Sequence, residues 1–270
     1  MIKRTDASIN GPDCLYQIES DKQPIVAVLK GRLGNCMFQI AACLSYAKKK
    51  NRPFYFILGD LQALNREFVP FIFRFEAYQE VPENWIEWQE GKAMDYTPID
   101  YDDERYPMIL EGYFQDERYF DREDVKEWFH FTDDTFNYVK EKYGDLSDFV
   151  SISVRRGDYV LLGIDTPAEW YENAYEKYFK GRKCIVFSDD IEWCKENIHI
   201  PDAVFAEGGD AISDLCAGSM CKDHISYNGS FGWWVCYLGE REDSTIVVKK
   251  DWWHGTDNHC KIVPDRWIEY

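Results

Sequence analysis

Basic residues are scarce in this sequence of 270 residues. Lys and Arg number 31 against 49 Asp and Glu, so the formal net charge is −18. Proteins that bind DNA or RNA need a basic surface to neutralise the phosphate backbone. The charge balance therefore argues against nucleic acid as a partner. Any cluster of arginines in such a chain stands out as a place where an anion could bind.

Long apolar runs are missing too. No run approaches the roughly 20 residues needed to cross a bilayer, and the N-terminus lacks the basic and then apolar segments of a secretory signal. These absences predict a cytoplasmic protein without a transmembrane segment, and they leave room for peripheral association with a membrane. The length suffices for one large or two small domains.

Metal-binding patterns are absent as well. The nine cysteines include no C-x-x-C pair, and without a secretory signal they are expected to be free, buried thiols. The one local cluster of ligand types is His254, His259 and Cys260, whose spacing suits zinc poorly. The sequence therefore predicts no metal site.

Strands and helices alternate along most of the chain, which is typical of an α/β fold with doubly wound parallel sheets. Residues 60–106 have an irregular, aromatic-rich pattern, Cys14 marks a further candidate strand, and Ser213 is the expected N-cap of its helix. The predicted strands are residues 25–29, 54–58, 149–154, 183–187, 203–205, 224–227 and 245–248, and the predicted helices are residues 35–50, 167–179, 190–197, 213–221 and 231–239.

Two adjacent arginines, Arg155 and Arg156, follow the apolar run 149–154 and precede Gly157. In open α/β sheets, ligands bind at the carboxyl ends of the strands. Because residues alternate faces along a strand, the two guanidiniums should point in different directions. One can then fork onto a phosphate while the other braces the loop. The alternative is that both form ion pairs with nearby carboxylates.

A second candidate anion site follows the first predicted strand. There, Gly31 and Gly34 precede the helix 35–50 and can bring backbone N–H groups close to an anion. The spacing is not that of a dinucleotide fingerprint. The alternative is an ordinary tight turn between strand and helix.

Five segments, taken together and in order, resemble the α-1,2-fucosyltransferases of glycosyltransferase family eleven. Residues 31–39 are similar to the family's G-G-L-G-N-Q-M-F-Q, and residues 112–120 to its G-Y-[FW]-Q…Y-F. Residues 153–159 resemble H-x-R-R-G-D-Y, and residues 187–193 resemble F-S-D-D-x-x-W. Residues 214–234 resemble D-L…M-S-x-C-K…N-S-S-F-S-W-W.

The chain departs from these motifs at five positions. Ser153 stands where the family has histidine, Arg32 replaces a glycine and Cys36 a glutamine, and Gly229 and Gly232 replace serines. The resemblance places the motif histidine near the nucleotide base. Ser153 therefore opens the alternative that the donor is another nucleotide deoxysugar. If the base is guanine, replacing Ser153 with histidine is expected to tighten GDP binding.

The resemblance implies a GT-B-like architecture with two facing Rossmann-type lobes. Residues 1–125 would form an N-terminal lobe that binds the acceptor, and residues 126–270 a C-terminal lobe that binds the nucleotide sugar. A charged helical stretch at residues 121–148 marks the change between them.

The resemblance also implies a set of site residues. Arg155 would stabilise the charge that develops on the leaving diphosphate. Asp189 and Asp190 suit a helix N-cap and first turn better than a metal site. The donor-binding set is Gly34, Asn35, Ser153, Arg155, Arg156, Asp189, Asp190, Asn228, Ser230 and Phe231.

On the acceptor side, Tyr113 and Gln115 would line the sugar cleft, although the aromatic pair Tyr113 and Phe114 could equally be core. Trp233 and Trp234 are expected to be core. The general base is open among the many carboxylates. Asp158 is the candidate, and a base-free mechanism is the alternative.

These features predict an inverting, metal-independent enzyme that moves L-fucose from GDP-fucose to a galactoside hydroxyl in α-1,2 linkage. Its partners would be a nucleotide sugar and a glycan acceptor, with no further cofactor. The alternatives are a transferase of the same fold with another nucleotide deoxysugar, and a catalytically silent protein that binds sugar nucleotides or glycans.

Overall fold

The computed structural model describes residues 18, 20–58, 77–78, 82–91, 96–250 and 262–270. The candidate strand near Cys14 and the cluster of His254, His259 and Cys260 lie outside these residues. The chain divides into two compact units, Met1–His130 with His259–Ile262, and Phe131–Asn258 with Val263–Tyr270. The predicted lobe roles, acceptor for the first and nucleotide sugar for the second, stay predictions.

The first unit contains a parallel five-stranded sheet in the order β3-β2-β1-β5-β4. Helix α1 packs on it with 13 buried residues. The elements are β1 (Ile25–Leu29), α1 (Leu33–Lys50), β2 (Phe54–Leu58), β3 (Ala77–Tyr78), β4 (Ile86–Gln89), β5 (Met108–Glu111), a 3₁₀ turn (Glu117–Tyr119) and α2 (Arg122–Trp128).

Helix α1 ends at Lys50, and its C-cap Asn51 adopts a left-handed conformation with φ 50°. The basic residues of its last turn lie at the negative end of the helix dipole. Next to it, Arg52 is fully buried and donates to the carbonyls of Gln23 and Tyr106 at 2.6 Å. Its ion pair with Asp102 compensates the buried charge.

The second unit contains a parallel six-stranded sheet in the order β11-β10-β9-β6-β7-β8. Its elements are α3 (Asp133–Tyr143), β6 (Val150–Val154), α4 (Gly157–Leu162), α5 (Ala168–Tyr178), β7 (Cys184–Ser188), α6 (Ile191–Asn197), β8 (Val204–Phe205), α7 (Ala211–Met220), β9 (Asp223–Ser226), α8 (Ser230–Gly239), β10 (Ile246–Val248) and β11 (Ile268–Glu269). The predicted α/β class with two Rossmann-type parallel sheets is confirmed.

Two local predictions were wrong. Helix α7 begins at Ala211, and its N-cap is Asp210, whose carboxylate accepts the Ser213 N–H at 2.7 Å. Ser213 instead accepts the Asp210 N–H at 2.9 Å, which completes a capping box. The irregular range 60–106 contains strand β4, in which one buried side chain, Trp88, alternates with exposed neighbours. Such a short edge strand has too little apolar pattern to stand out in a sequence.

Candidate functional site

Three adjacent strands of the second unit end at the same edge of the sheet. Strand β6 lies between β7 and β9, with Val154 opposite Ser188 and Ser153 opposite Ser226. The segments that follow these strands are 155–156, 189–190 and 227–228. Parallel pairing therefore brings three of the motif segments together at the carboxyl edge, where α/β proteins bind ligands.

Arg155 is held between two carboxylates at the end of β6. Its Nη1 lies 2.6 Å from Asp189 Oδ2, and its Nη2 pairs with Asp158. The Arg155 side chain is 14% exposed, whereas that of Asp158 is 51% exposed. A side chain on Gly157 would collide with Asp189, so this glycine permits the close approach. The guanidinium therefore lies at the end of β6 between the less exposed Asp189 and the half-exposed Asp158.

Arg156 takes different partners, as the alternation of faces predicts. Its backbone N–H donates to Asp189 Oδ1 at 2.9 Å, while its guanidinium pairs with Asp165. The guanidinium also stacks on Trp193, 3.8 Å from the ring centroid, and its Nε lies 3.9 Å from Asp190. Arg156 therefore braces the loop. Both arginines form the ion pairs of the alternative interpretation, and their binding to phosphate stays a prediction.

Asp190 caps helix α6, because its carboxylate accepts the Trp193 N–H at 3.3 Å. Its own N–H donates to Ser188 Oγ at 3.0 Å. The prediction that Asp189 and Asp190 are the N-cap and first-turn residues of this helix is displaced by one position, because Asp190 is the N-cap and Asp189 precedes it. Across the residues that the structure describes, no group of three or more His, Cys, Asp or Glu is arranged to hold a metal ion.

Helix α8 starts at Ser230 directly after the segment that follows β9. Ser230 and Phe231 are half-buried in its first turn. Tyr159 donates to the Asn228 carbonyl at 3.1 Å, which ties α4 to the same segment. The residues Asn228, Ser230 and Phe231 of the predicted donor-binding set thus lie at the same edge of the sheet as Arg155.

The ring of Tyr227 fills space beside Gly229 and Gly232, the two glycines that stand where the family motif has serine. A Cβ at Gly229 would overlap this ring, and a Cβ at Gly232 would lie 3.1 Å from Ser153 Cβ and clash with Ser226. Ser153 is only 1% exposed. Its side chain lies under helix α8, so this packing does not favour the predicted contact with a nucleotide base. Later in the same helix, Trp233 and Trp234 are fully buried, as predicted.

In the first unit, strands β1 and β5 are neighbours, and two motif segments follow their carboxyl ends. Side-chain amides join these segments. Gln39 accepts the Lys30 N–H at 2.9 Å and donates to the Gly112 carbonyl at 3.3 Å. Gln115 donates to Asn35 Oδ1 at 2.8 Å. The segments 31–39 and 112–115 therefore form one connected structure.

The turn before α1 requires glycine at position 31. Gly31 has φ +79°, and a Cβ there would lie 2.5 Å from Asn35 Nδ2. Gly34 is buried in the first turn of α1, and Asn35 is half-buried beside Gln115. In this structure Asn35 is engaged with Gln115, and its role toward the donor stays a prediction.

The aromatic pair of the 112–115 segment separates into one exposed and one core residue. Tyr113 is 38% exposed, whereas Phe114 is fully buried, stacked on Trp88 and edge-on to Tyr119. Gln115 is buried. Of the two alternatives for the aromatic pair, the core interpretation holds for Phe114, and Tyr113 is left on the surface.

Sequence reasoning missed Glu90, which follows β4. Its Oε2 accepts the N–H groups of Tyr113 at 2.7 Å and Phe114 at 3.2 Å. Burial raises the pKa of this carboxyl, and the two backbone hydrogen bonds oppose that rise. No motif marks Glu90, and its charge alone suggests an exposed residue, so the sequence offers no signal for it.

No helix among the described residues is both long enough and apolar enough to cross a membrane. Two units, each with a parallel sheet and polar side chains at its carboxyl edge, are typical of the GT-B fold of glycosyltransferases. The family model of Glycosyl transferase family 11 matches residues 13–261. The chain belongs to this family.

Curated relatives are similar over part of their length. An alpha-1,2-colitosyltransferase of Escherichia coli is 29% identical over 175 residues, 58% of this chain and 60% of the relative. Human galactoside alpha-(1,2)-fucosyltransferase 1 is 29% identical over 239 residues, 77% of this chain and 63% of the relative. The chain thus spans less than two thirds of these relatives.

Solved structures share the fold at low sequence identity. The fucosyltransferase NodZ from Bradyrhizobium has a TM-score of 0.55 at 12% identity, over 80% of this chain and 92% of that one. POFUT1 in its apo form has a TM-score of 0.52 at 13% identity, over 85% of this chain and 98% of that one. At this identity the likeness supports the fold alone.

Proposed function

We propose that this protein transfers L-fucose from GDP-fucose to a galactoside hydroxyl, forms an α-1,2 linkage and inverts the anomeric centre. The observation that carries the proposal is the Arg155 site at the carboxyl edge of β6, in a chain of family 11. Both the colitosyltransferase and the fucosyltransferase relative are named for a 1,2 linkage. A solved structure with the same fold, that of the NodZ alpha-1,6-fucosyltransferase, was soaked with GDP-fucose.

In this mechanism Arg155 stabilises the leaving diphosphate. As the acceptor oxygen attacks C1 and the bond from C1 to the diphosphate oxygen breaks, negative charge builds on the diphosphate. A guanidinium that is already oriented stabilises this charge without reorganisation. Asp189 is held by the Arg156 N–H as well as by Arg155, so it stays in place. The half-exposed Asp158 is the partner that a phosphate can replace.

Replacement of Asp158 by the diphosphate as the partner of Arg155 connects the roles predicted for these two residues. When the guanidinium turns to the diphosphate, the Asp158 carboxylate is released from Arg155 and can accept the proton of the attacking hydroxyl. The proton then ends on Asp158 and the electron pair of the broken bond on GDP. In the base-free alternative, departure of GDP leads and the proton leaves afterwards.

Colitose is the second candidate for the donor sugar, because a colitosyltransferase and the human fucosyltransferase are both 29% identical to this chain over the residues that they match. The deciding experiment incubates the protein with a β-galactoside and either GDP-fucose or GDP-colitose, and reads linkage and anomeric configuration by NMR. An α-1,2-fucosylated product supports the proposal. Colitosyl product alone, or binding of both donors without transfer or hydrolysis, replaces it with the corresponding alternative.

Metal independence and a cytoplasmic location are also parts of this proposal. The arginines and the helix ends at the sheet edge supply positive charge for the diphosphate, so the chemistry does not require a cation. The donor serves as substrate, and no other cofactor is invoked.

A further inference from the structure

Glu90 lies where the acceptor-side strands end. It directly follows β4, and its N–H donates to the Glu111 carbonyl at 2.8 Å, which continues the pairing of β4 with β5. The next residue of the β5 segment is Gly112. The side chain of Glu90 is therefore placed directly beside the segment 112–115 as that segment leaves the sheet.

The Glu90 carboxylate binds the backbone of this segment. One oxygen accepts two successive N–H groups, those of Tyr113 and Phe114. A buried carboxylate forms strong hydrogen bonds to N–H donors, and removing it leaves those donors unpaired. The residue is only 7% exposed, so solvent does not readily replace these bonds.

The backbone that Glu90 holds is strained. Phe114 has φ +54°, a conformation that a bulky residue rarely adopts. Gly112 is pressed against Glu90, since a Cβ at this position would lie 2.5 Å from Glu90 Cβ and 2.7 Å from its Oε2. The turn persists because the carboxylate on one side and the buried Phe114 ring on the other fix it.

The outcome of this turn is the separation of Tyr113 from Gln115. Tyr113 points its ring to the surface, while Gln115 turns inward and donates to Asn35. These are the two residues that the sequence assigns to the acceptor. Loss of the turn would change the position of both at once.

We propose that Glu90 is a positioning residue for the acceptor: it holds the segment 112–115 in the one conformation that presents Tyr113 and couples Gln115 to Asn35. The inference rests on the proposed function, because it takes this segment as the acceptor-binding side. Glu90 acts through the backbone of this segment, so we expect donor binding to be independent of it.

The test compares Glu90→Ala and Glu90→Gln with Glu87→Ala, a control at an exposed carboxylate on the same strand. In Glu90→Ala the acceptor KM should rise roughly tenfold or more, as expected for the loss of hydrogen bonds to a charged group, while the donor KM changes less than twofold. Glu90→Gln keeps an oxygen acceptor and should recover most of the loss. Glu87→Ala should match the wild type.

Hydrogen exchange provides a readout that needs no activity. The amides of Tyr113 and Phe114 should exchange faster in Glu90→Ala than in the wild type and the control, while strands β1 and β5 keep their protection. Unchanged exchange at these two amides, or donor and acceptor KM rising together, would overturn the positioning role.

If the wild type transfers neither fucose nor colitose, the proposed function fails separately. Titration of a β-galactoside into the protein then decides the inference. A tenfold loss of affinity in Glu90→Ala with recovery in Glu90→Gln supports it. No galactoside binding by the wild type, or equal affinity in all variants, contradicts it.

Discussion

Asp189 and Arg155 form an ion pair at 2.6 Å, and the second oxygen of the same carboxylate accepts the N–H of the residue after Arg155. The carboxylate thus fixes both a side chain and the backbone of the loop after β6. This arrangement orients one guanidinium toward the carboxyl edge of the sheet before any ligand arrives. Preorganised charge of this kind is what stabilisation of a leaving diphosphate requires.

The first prediction concerns this guanidinium. Arg155→Ala should lower kcat/KM by about 10²- to 10³-fold, the usual effect of removing a group that stabilises transition-state charge. Arg155→Lys should recover little because the planar fork is lost. Arg156→Ala should be milder, since Arg156 braces the loop. Steady-state kinetics with saturating acceptor measure all three variants. Near-wild-type activity in Arg155→Ala would exclude a role of Arg155 in stabilising the leaving diphosphate.

The second prediction distinguishes the role of Asp158 as general base from the role of Arg155 in binding the diphosphate. Asp158→Asn keeps the size of the side chain but cannot accept a proton. If Asp158 is the base, kcat should fall by about 10²- to 10⁴-fold, while the affinity for GDP stays the same or increases because a competitor for Arg155 is weakened. Calorimetry with GDP and single-turnover kinetics test this. A variant with unchanged kcat would favour the base-free mechanism.

The third prediction concerns divalent cations. Arginines and helix N-termini can neutralise a diphosphate, so transfer should continue at an undiminished rate in excess EDTA. The assay compares initial rates before and after dialysis against the chelator. Loss of activity that Mn²⁺ or Mg²⁺ restores would mean that a metal bridges the diphosphate.

The sequence predicted strands β1, β2, β6 to β10 and most helices, because these are stretches with a clear apolar pattern, but it predicted no strand at β3, β4, β5 or β11 and no helix at α4. It also placed Asp189 and Asp190 at the start of a helix, one position away from the observed N-cap at Asp190. It could not place Glu90, whose role depends on a contact with residues more than twenty positions away. Nor could it decide between core and cleft for Tyr113 and Phe114, since that difference comes from a turn with positive φ at Phe114. Long-range contacts and backbone strain leave no local pattern.

The fourth prediction follows from the burial of Ser153. The motif comparison suggests that histidine at this position would tighten GDP binding. In the structure, however, a Cβ at Gly232 would already lie 3.1 Å from Ser153 Cβ, so helix α8 leaves little room there. Ser153→His should therefore destabilise the protein by about 1–3 kcal/mol through overpacking and weaken GDP binding. Urea denaturation and calorimetry measure both. Tighter GDP binding at unchanged stability would support the prediction from the motif comparison that histidine at position 153 tightens GDP binding.

The fifth prediction concerns stability and pH, through two buried groups of the second unit. Desolvation lowers the pKa of His224 to about 3 from 6.5, and its Nδ1 lies 2.6 Å from Ser151 Oγ. Desolvation raises the pKa of Asp214 to about 7 from 3.8. Between pH 3.8 and 6.5 the unfolded chain binds a proton at His224 that the folded chain does not. At Asp214 the folded chain holds a proton that the unfolded chain has lost.

These two contributions have opposite signs. As the pH rises through this window, stability increases because of His224 and decreases because of Asp214, each by up to about 1.4 kcal/mol per pH unit. In the wild type they nearly cancel. His224→Gln should therefore lose stability as the pH rises from 4 to 6.5, relative to the wild type, and Asp214→Asn should gain it. Urea denaturation at pH 4, 5, 6 and 7 gives the three slopes. Because other titrating groups contribute equally to all three proteins, slopes that coincide would show that neither buried group titrates as its surroundings imply.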